Sequence, residues 1–350
     1  MNPSQGDQGL QGGWALDDKG EINFVHSLSS QFGYIQQAGA GWVRLNFRLG
    51  RCFDDWQSPA SAPCVAANPA LQGKTALDLY DQVVQAALGS NLQILGLLSN
   101  ETWHGGQADW TENNAENAGG DGSNSWIDSF AQNTAILVAR YPQITQWEVW
   151  NEPNAWTSNP NPGVYSGGTF IYPSNFAQLL AGSYAAIKNA NASAVVISAG
   201  IFCHDRDRGT DYLQNTYRMG IDNAGWTAES FPLDAIGQHL YINQSGVTSS
   251  ATLTSFLQDL RNAYLAYEGA DSSKHTQITE VGWTTAQVSA AVQAQNLQIA
   301  FGTFQGIDFV DRAYWFSVQD IPEGHVYYGL VDGHGGPKPA LAAYQANATY

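Results

Sequence analysis

The stretch Ile144-Thr-Gln-Trp-Glu-Val-Trp-Asn-Glu-Pro-Asn-Ala-Trp156 decides how the chain is read. Its first half is apolar and β-prone with no turn residue, as expected of a strand buried on both faces of a parallel sheet. Asn151, Glu152 and Pro153 stop it, because proline cannot donate to a ladder and biases its predecessor away from helix. Glu152 is thereby delivered to the C-terminal end of a strand, in the company of Trp147, Trp150 and Trp156. A carboxylate among indoles loses solvation, so its pKa should rise. It can then act as a general acid near neutral or mildly acidic pH.

A second carboxylate has the same setting. Gln277-Ile278-Thr279-Glu280-Val281-Gly282-Trp283 is another short β-branched run that ends in a glutamate and is followed by Gly and Trp. Two glutamates at strand ends, with aromatics beside both, suit cleavage of a glycosidic bond.

Outward from these two runs, the chain alternates. Strands are predicted over Trp42 to Phe47, Leu92 to Leu98, the Glu152 run, Val195 to Ala199, Asp234 to Tyr241, the Glu280 run and Arg312 to Val318. Helical spacing falls between them, as at Leu77, Tyr80, Val84 and Ala87, or Leu253, Phe256, Leu257, Leu260 and Tyr264. A helix capped by Ser174 and another over about Ala286 to Phe301 continue the pattern. A weaker first strand near Gly13 to Leu16 brings the units to eight. The reading is an α/β chain folded as one (β/α)8 TIM barrel, with residues 1–12 a disordered lead-in and 13–350 the barrel domain.

Composition narrows the partners. With 14 Lys+Arg against 31 Asp+Glu, the formal charge of −17 repels phosphate backbones and anionic lipid. Nucleic acid and membranes are therefore not expected, a monomer is, and neutral glycans fit better than acidic ones. Cys52 and Cys64 bracket a Pro/Ala/Ser loop and could be bridged in an exported protein; the alternative is three unpaired thiols, Cys203 included. A secreted or extracytoplasmic protein is the expectation, although no leader opens this chain. His204 to Asp207 carries no partner at ligand spacing, so neither metal nor other cofactor is expected.

Barrel enzymes keep their chemistry at the C-terminal strand ends. Those ends hold Arg44, Asn100, Asn151, Glu152, His239, Tyr241, Glu280 and Trp315. The set resembles clan A of the glycoside hydrolases, the retaining β-glycosidases built on this barrel. Asn151-Glu152-Pro153 at the fourth strand and Glu280 at the seventh carry the resemblance, with Val43-Arg44-Leu45, His239-Leu-Tyr241 and Trp315 in support. Trp147 to Asn154 is most similar to family 39, the β-xylosidase family. Thr279 to Trp283 is as similar to family 5, the cellulases and mannanases.

The resemblance implies that Glu152 is the acid/base and Glu280 the nucleophile. It also implies that Arg44 and Tyr241 hold Glu280, that Asn151 meets the sugar 2-hydroxyl, and that Trp315 floors the central subsite. A cis peptide at Trp315–Phe316 is a further candidate feature. Glu148, with the same parity as Glu152 but lower in the strand, reads as a buried, paired structural carboxylate. Glu101, Asp205, Asp320 and Glu323 read as subsite or solvated groups near the mouth.

The long loop after the third strand, with Trp103 and Trp110, could wall a cleft, and Trp126, Trp156, Tyr165, Tyr172 and Trp283 could add stacking platforms. That favours an endo-acting β-glycanase on a β-linked carbohydrate. An exo-β-glycosidase with a closed pocket is the alternative, and a non-catalytic carbohydrate-binding barrel is the alternative of another class. A metal-dependent barrel hydrolase would need a His/Asp cluster at the strand ends, which the sequence lacks.

Overall fold

A computed structural model describes residues 28–50, 52–103, 125–155, 170–228 and 230–348. Seven strands pair in parallel and in chain order: β1 (Trp42–Asn46), β2 (Gln93–Leu98), β3 (Gln146–Asn151), β4 (Val195–His204), β5 (Ala235–Tyr241), β6 (Thr276–Val281) and β7 (Val310–Trp315). They form a nearly closed barrel wrapped by helices, so β3 here is the fourth strand of the eight read from sequence. The lead-in over residues 1–12 and the weak strand near Gly13 to Leu16 lie outside the described residues, as do His104, Trp110, Trp156 and Tyr165.

The helices are α1 (Leu28–Gln37), α2 (Ala62–Ala67), α3 (Ala76–Gly89), α4 (Ser125–Arg140), α5 (Pro173–Ala190), α6 (Thr210–Asn223), α7 (Ser250–Glu268), α8 (Ala290–Phe304) and α9 (Pro339–Asn347). Side-chain caps start three of them. Thr75 and Asp78 exchange hydrogen bonds in a capping box at α3, while Ser249 and Ser289 accept from Thr252 and Val292 backbone N–H groups at α7 and α8. At α5 the expectation is corrected. Tyr172 is the cap and Pro173 takes the first helical turn, where its missing N–H costs nothing. The loop after β1 also contains α2, which the Pro/Ala/Ser composition concealed.

Two layers of side chains form on either side of the sheet. Outside, Phe47 packs between Tyr80, Tyr141 and Trp147 with ring centroids 4.9, 5.4 and 5.3 Å away. Inside, Leu95, Ile197, Ala235 and Tyr314 fill a lower layer. Near it Gln146 accepts from Gln277 and Arg312. Glu148 and Thr279 meet above, and the strand ends open at the top. Cys52 and Cys64 are bonded across the loop after β1, with their Cα atoms 5.7 Å apart.

Candidate active site at the strand ends

β3 departs from regular alternation at its end. Trp147 faces out onto Phe47, and Glu148 faces in to Arg44 and Thr279. Trp150 then turns into the left-handed region at φ 76° and packs outward on Phe130 of α4, at 5.9 Å between rings. Glu152 is left-handed as well, at φ 47°. The two departures let adjacent residues Asn151 and Glu152 both aim into the mouth, which strict alternation forbids. Such conformations cost about 1–3 kcal/mol each for non-glycine residues, and the buried surroundings must hold them.

β6 solves the same problem with a bulge. Gln238 pairs with Ile278 but His239 pairs with Glu280, so two residues of β6 oppose one of β5. Thr279 and Glu280 therefore both reach the interior, a common use of bulges beside active sites.

The hydrogen bonds close around Arg44, which is 1% exposed. Its Nε donates to Glu148, its Nη1 to Glu280 Oε1 at 2.6 Å and its Nη2 to Asn151 Oδ1 at 2.8 Å. Tyr241 donates to Glu280 Oε2 at 2.6 Å. His239 Nδ1 lies 2.8 Å from Glu152 Oε1 and 3.7 Å from Glu280 Oε2. One oxygen of each glutamate and His239 Nδ1 all lie within 4.8 Å of one another. This trio is the one grouping of potential metal donors among the described residues, and its atoms are already committed to each other, Arg44 and Tyr241.

Burial pushes the Glu152 carboxyl up to about 7, opposed by the more distant charge of Arg44. Burial pushes His239 down to about 4, opposed by the Glu280 and Glu148 carboxylates, so its ring is neutral over most of the working pH range. Burial also works against the Arg44 charge, but Glu148 and Glu280 outweigh it and its pKa is raised. Tyr241 is raised well above the usual tyrosine value, first by burial and then by Glu280 and Glu152, so it is a fixed donor. The rise at Glu152 comes from burial, as expected, but Trp147 and Trp150 face outward and Trp156 lies outside the described residues.

A cavity of about 600 Å³ sits over this cluster, within the usual range for small-ligand sites. It is lined by Asn151, Glu152 and Glu280, by the Phe202, Tyr241, Phe316 and Tyr328 rings, and by the His204–Arg206 rim. About a fifth of the Glu152 side chain, 21%, is exposed, against 5% for Glu280. Arg44, Asn151, Glu152, His239, Tyr241 and Glu280 are thus brought together.

The other expected residues are not. Trp315 and Trp283 are fully buried, 6.1 Å apart between rings, and their indole N–H groups donate to backbone carbonyls of Tyr328 and Ile242. Along β7 the parity is Arg312, Tyr314 and Phe316 inward, Trp315 outward. Burying an indole contributes roughly 4–6 kcal/mol, well above the 0.5–1.5 kcal/mol of one ring contact, so both tryptophans serve the core. Phe316 takes the cavity position expected of Trp315, and the cis peptide falls at Phe316–Ser317, one bond later than expected. Asn100 and Trp103 follow β2 outside the cavity lining, and Trp126 and Tyr172 are half-buried against the core.

Among the loop acids, Asp205 lines the cavity and Glu101 pairs with Arg48. Asp320 is buried, bound to Lys338 at 3.0 Å and to the Gly329 N–H at 2.6 Å. That pair holds the segment after β7 that supplies Tyr328. Sequence reading missed Phe202, Gln244, Phe316 and Tyr328. Counting parity along β7 from its inward residues would have found Phe316; Phe202 lies on β4 beyond a register shift, and Gln244 and Tyr328 depend on loop folding.

No protein-family model matches the chain, and no curated protein matches it by sequence. Solved structures do match. A family 39 glycoside hydrolase from the gut symbiont Bacteroides cellulosilyticus WH2 aligns over 92% of this chain and 61% of its own, at 18% identity and TM-score 0.60. An exo-β-1,4-mannosidase from Opitutaceae bacterium strain TAV5 aligns over 92% and 55%, at 14% identity and TM-score 0.62. A GH128 endo-β-1,3-glucanase from Amycolatopsis mediterranei, in complex with laminarihexaose, aligns over 91% and 95%, at 16% identity and TM-score 0.52. The chain spans less than two thirds of the first two, and at these identities the likeness is one of fold, the α/β barrel.

Proposed function

We propose that this chain is a retaining β-glycoside hydrolase, with Glu152 as acid/base and Glu280 as nucleophile. The observation that carries the reading is the pairing of two carboxyls in opposite settings within 4.8 Å. Glu152 is raised to about 7 by burial, while Glu280 accepts hydrogen bonds from the Arg44 guanidinium and the Tyr241 hydroxyl. Close carboxyls suit direct attack on the sugar, whereas inverting enzymes hold theirs about 6.5–9.5 Å apart to admit a water.

In the first step a Glu280 oxygen forms a bond to C1 as the C1–O bond to the leaving group breaks, and the Glu152 proton passes to that oxygen. In the second, water attacks C1, the bond to Glu280 breaks, and the proton from water returns to Glu152. His239 prepares the first step. An N–H at Nε2 would be an orphan, since that nitrogen has no partner among the described residues, so the neutral ring carries its hydrogen on Nδ1. It then donates to Glu152 Oε1, leaving Oε2 to carry the acidic proton. Asn151, oriented by Arg44, would meet the sugar 2-hydroxyl.

The substrate in this reading is a neutral β-linked glycan. Rings succeed each other from His204 through Phe202 and Tyr241 to Phe316 at 5.1, 5.9 and 6.1 Å, with Tyr328 beside Phe316. A row that long supports a chain of sugars and endo action. The exo alternative rests on the likeness to an exo-mannosidase. The Cys52–Cys64 disulfide supports a location outside the reducing cytosol.

Product analysis on cellulose, xylan, mannan, β-1,3-glucan and nitrophenyl β-glycosides at mildly acidic pH tests the proposal. Each would be run beside Glu152→Ala and Glu280→Ala. Release by wild type alone, with the first-formed anomer β by NMR, is the expected result. An oligosaccharide ladder means endo action, and monosaccharide alone means exo. Release of the α anomer would refute retention; no release by wild type from any member would favour the binding barrel.

A further inference from the structure

Glu148 is the carboxylate that the mechanism above does not use. It is fully buried in the middle of β3, four residues before Glu152, and does not line the cavity. Nevertheless it is bound to Arg44, a partner of the nucleophile, and to Thr279, the residue before it. One oxygen accepts from Arg44 Nε, the other from Thr279 Oγ1 at 2.7 Å. Thr279 immediately precedes Glu280, and the β6 bulge lets both face inward. Arg44 in turn reaches Glu280 and Asn151 from its remaining nitrogens.

A carboxylate with only structural duties would be an expensive choice here. Burying a charge costs several kcal/mol, and an apolar pair often serves stability as well or better. What Glu148 supplies instead is a fixed direction and a divided charge. With its Nε committed to Glu148, the guanidinium plane cannot rotate, so Nη1 and Nη2 are aimed at Glu280 and Asn151. The single positive charge of Arg44 is also shared between two carboxylates. Alone with Arg44, Glu280 would form a neutral pair, and its lone pairs would be tied down. With Glu148 present the cluster keeps one excess negative charge, which favours donation of an electron pair to C1.

We propose that Glu148 is a positioning residue that orients Arg44 and tempers its charge, keeping Glu280 nucleophilic. The proposal rests on the glycosidase reading for its functional meaning, but its electrostatic core stands apart from it. The groups facing Glu280 are Arg44 from β1, Glu148 from β3, Glu152 just after it, His239 and Tyr241 from β5, and Tyr328 from the segment after β7. Of these, Glu148 can be changed without touching the cavity.

The variant is Glu148→Gln. Its amide oxygen can still accept from Arg44 and its NH₂ can donate to Thr279, so the shape is kept and only the charge is lost. The direct readout is ¹³C NMR titration of glutamate carboxyls in the whole protein, with Glu280 assigned by its absence in Glu280→Gln. The Glu280 carboxyl is expected to titrate at least half a pH unit lower in Glu148→Gln than in wild type, and at its wild-type position in Glu148→Asp, which keeps the charge. On a cleaved substrate, the acidic limb of kcat/KM should move the same way, with kcat down about tenfold and KM within about twofold.

An unmoved Glu280 titration in a folded Glu148→Gln protein overturns the proposal. So does a shift of equal size in Glu148→Asp, which would mean that packing and not charge is sensed. Should wild type cleave nothing, the functional reading falls, while the titration still decides the role of Glu148. If Glu148→Gln does not fold, Thr279→Val serves in its place. Freed of that hydrogen bond, Glu148 should draw more of the Arg44 charge and raise the Glu280 titration; no change there also overturns the proposal.

Discussion

His239 holds Glu152 with one ring nitrogen and touches Gly200 with the other. Nδ1 lies 2.8 Å from Glu152 Oε1, while a Cβ on Gly200 would fall 2.0 Å from Nε2. The acid's orientation is thus set by a glycine on the neighbouring strand, behind the ring that positions it.

That contact makes Gly200→Ala a sensitive probe. The methyl must displace His239, because Thr279 Oγ1, 2.8 Å from the same Cβ position, closes off another direction. Overpacking of this kind costs about 1–3 kcal/mol. The expected outcome is a modest fall in Tm with at least a tenfold loss of kcat, read by thermal denaturation and steady-state kinetics. Full activity with His239 displaced would show that Glu152 does not need it.

The pH dependence follows from Glu152. The acid must be protonated to act, so kcat/KM should fall as pH rises through about 7. Stability should follow the same sign. Folding raises this carboxyl from 4.5 to about 7, so its contribution is fully present below 4.5 and is lost as pH rises through 7. Glu152→Gln removes that penalty. It should abolish hydrolysis of unactivated glycans and yet melt several degrees above wild type at pH 8, with little gain at pH 4. The ceiling is about 3 kcal/mol, and paired melting curves at the two pH values check it.

Phe316 and Trp315 should separate binding from stability. Phe316→Ala removes a cavity ring and should raise KM roughly fivefold, about 1 kcal/mol, with little change in Tm. Trp315→Phe should lower stability by about 1–2 kcal/mol and leave KM alone, since that indole is fully buried. KM and denaturant midpoints for both variants test the exchange of roles.

The Cys52–Cys64 bond closes a loop with a sequence separation of 12. Replacing both by Ala should cost about 3 kcal/mol, measured as a loss of denaturant midpoint that reducing agent reproduces in wild type and not in the variant. Activity at low temperature should survive, because neither cysteine lines the cavity.

What the sequence determined by itself was local: where strands end and which residues stand at those ends. Proline after Glu152, glycine after Val281 and the alternation of strand and helix are short-range signals, and they led to Arg44, Asn151, Glu152, His239, Tyr241 and Glu280. Only the tertiary structure decided which face each neighbour takes. The left-handed turns at Trp150 and Glu152 and the bulge at Thr279 break the two-residue period, so parity no longer tells inside from outside. Trp315 was assigned to the cavity and belongs to the core, one residue from Phe316, because a single step along a strand reverses the face. The ring of Phe202 is aimed by a register shift in β4, and Tyr328 and the buried Asp320–Lys338 pair depend on how the loops fold over the mouth. Those contacts join residues far apart in the chain, and no local pattern records them.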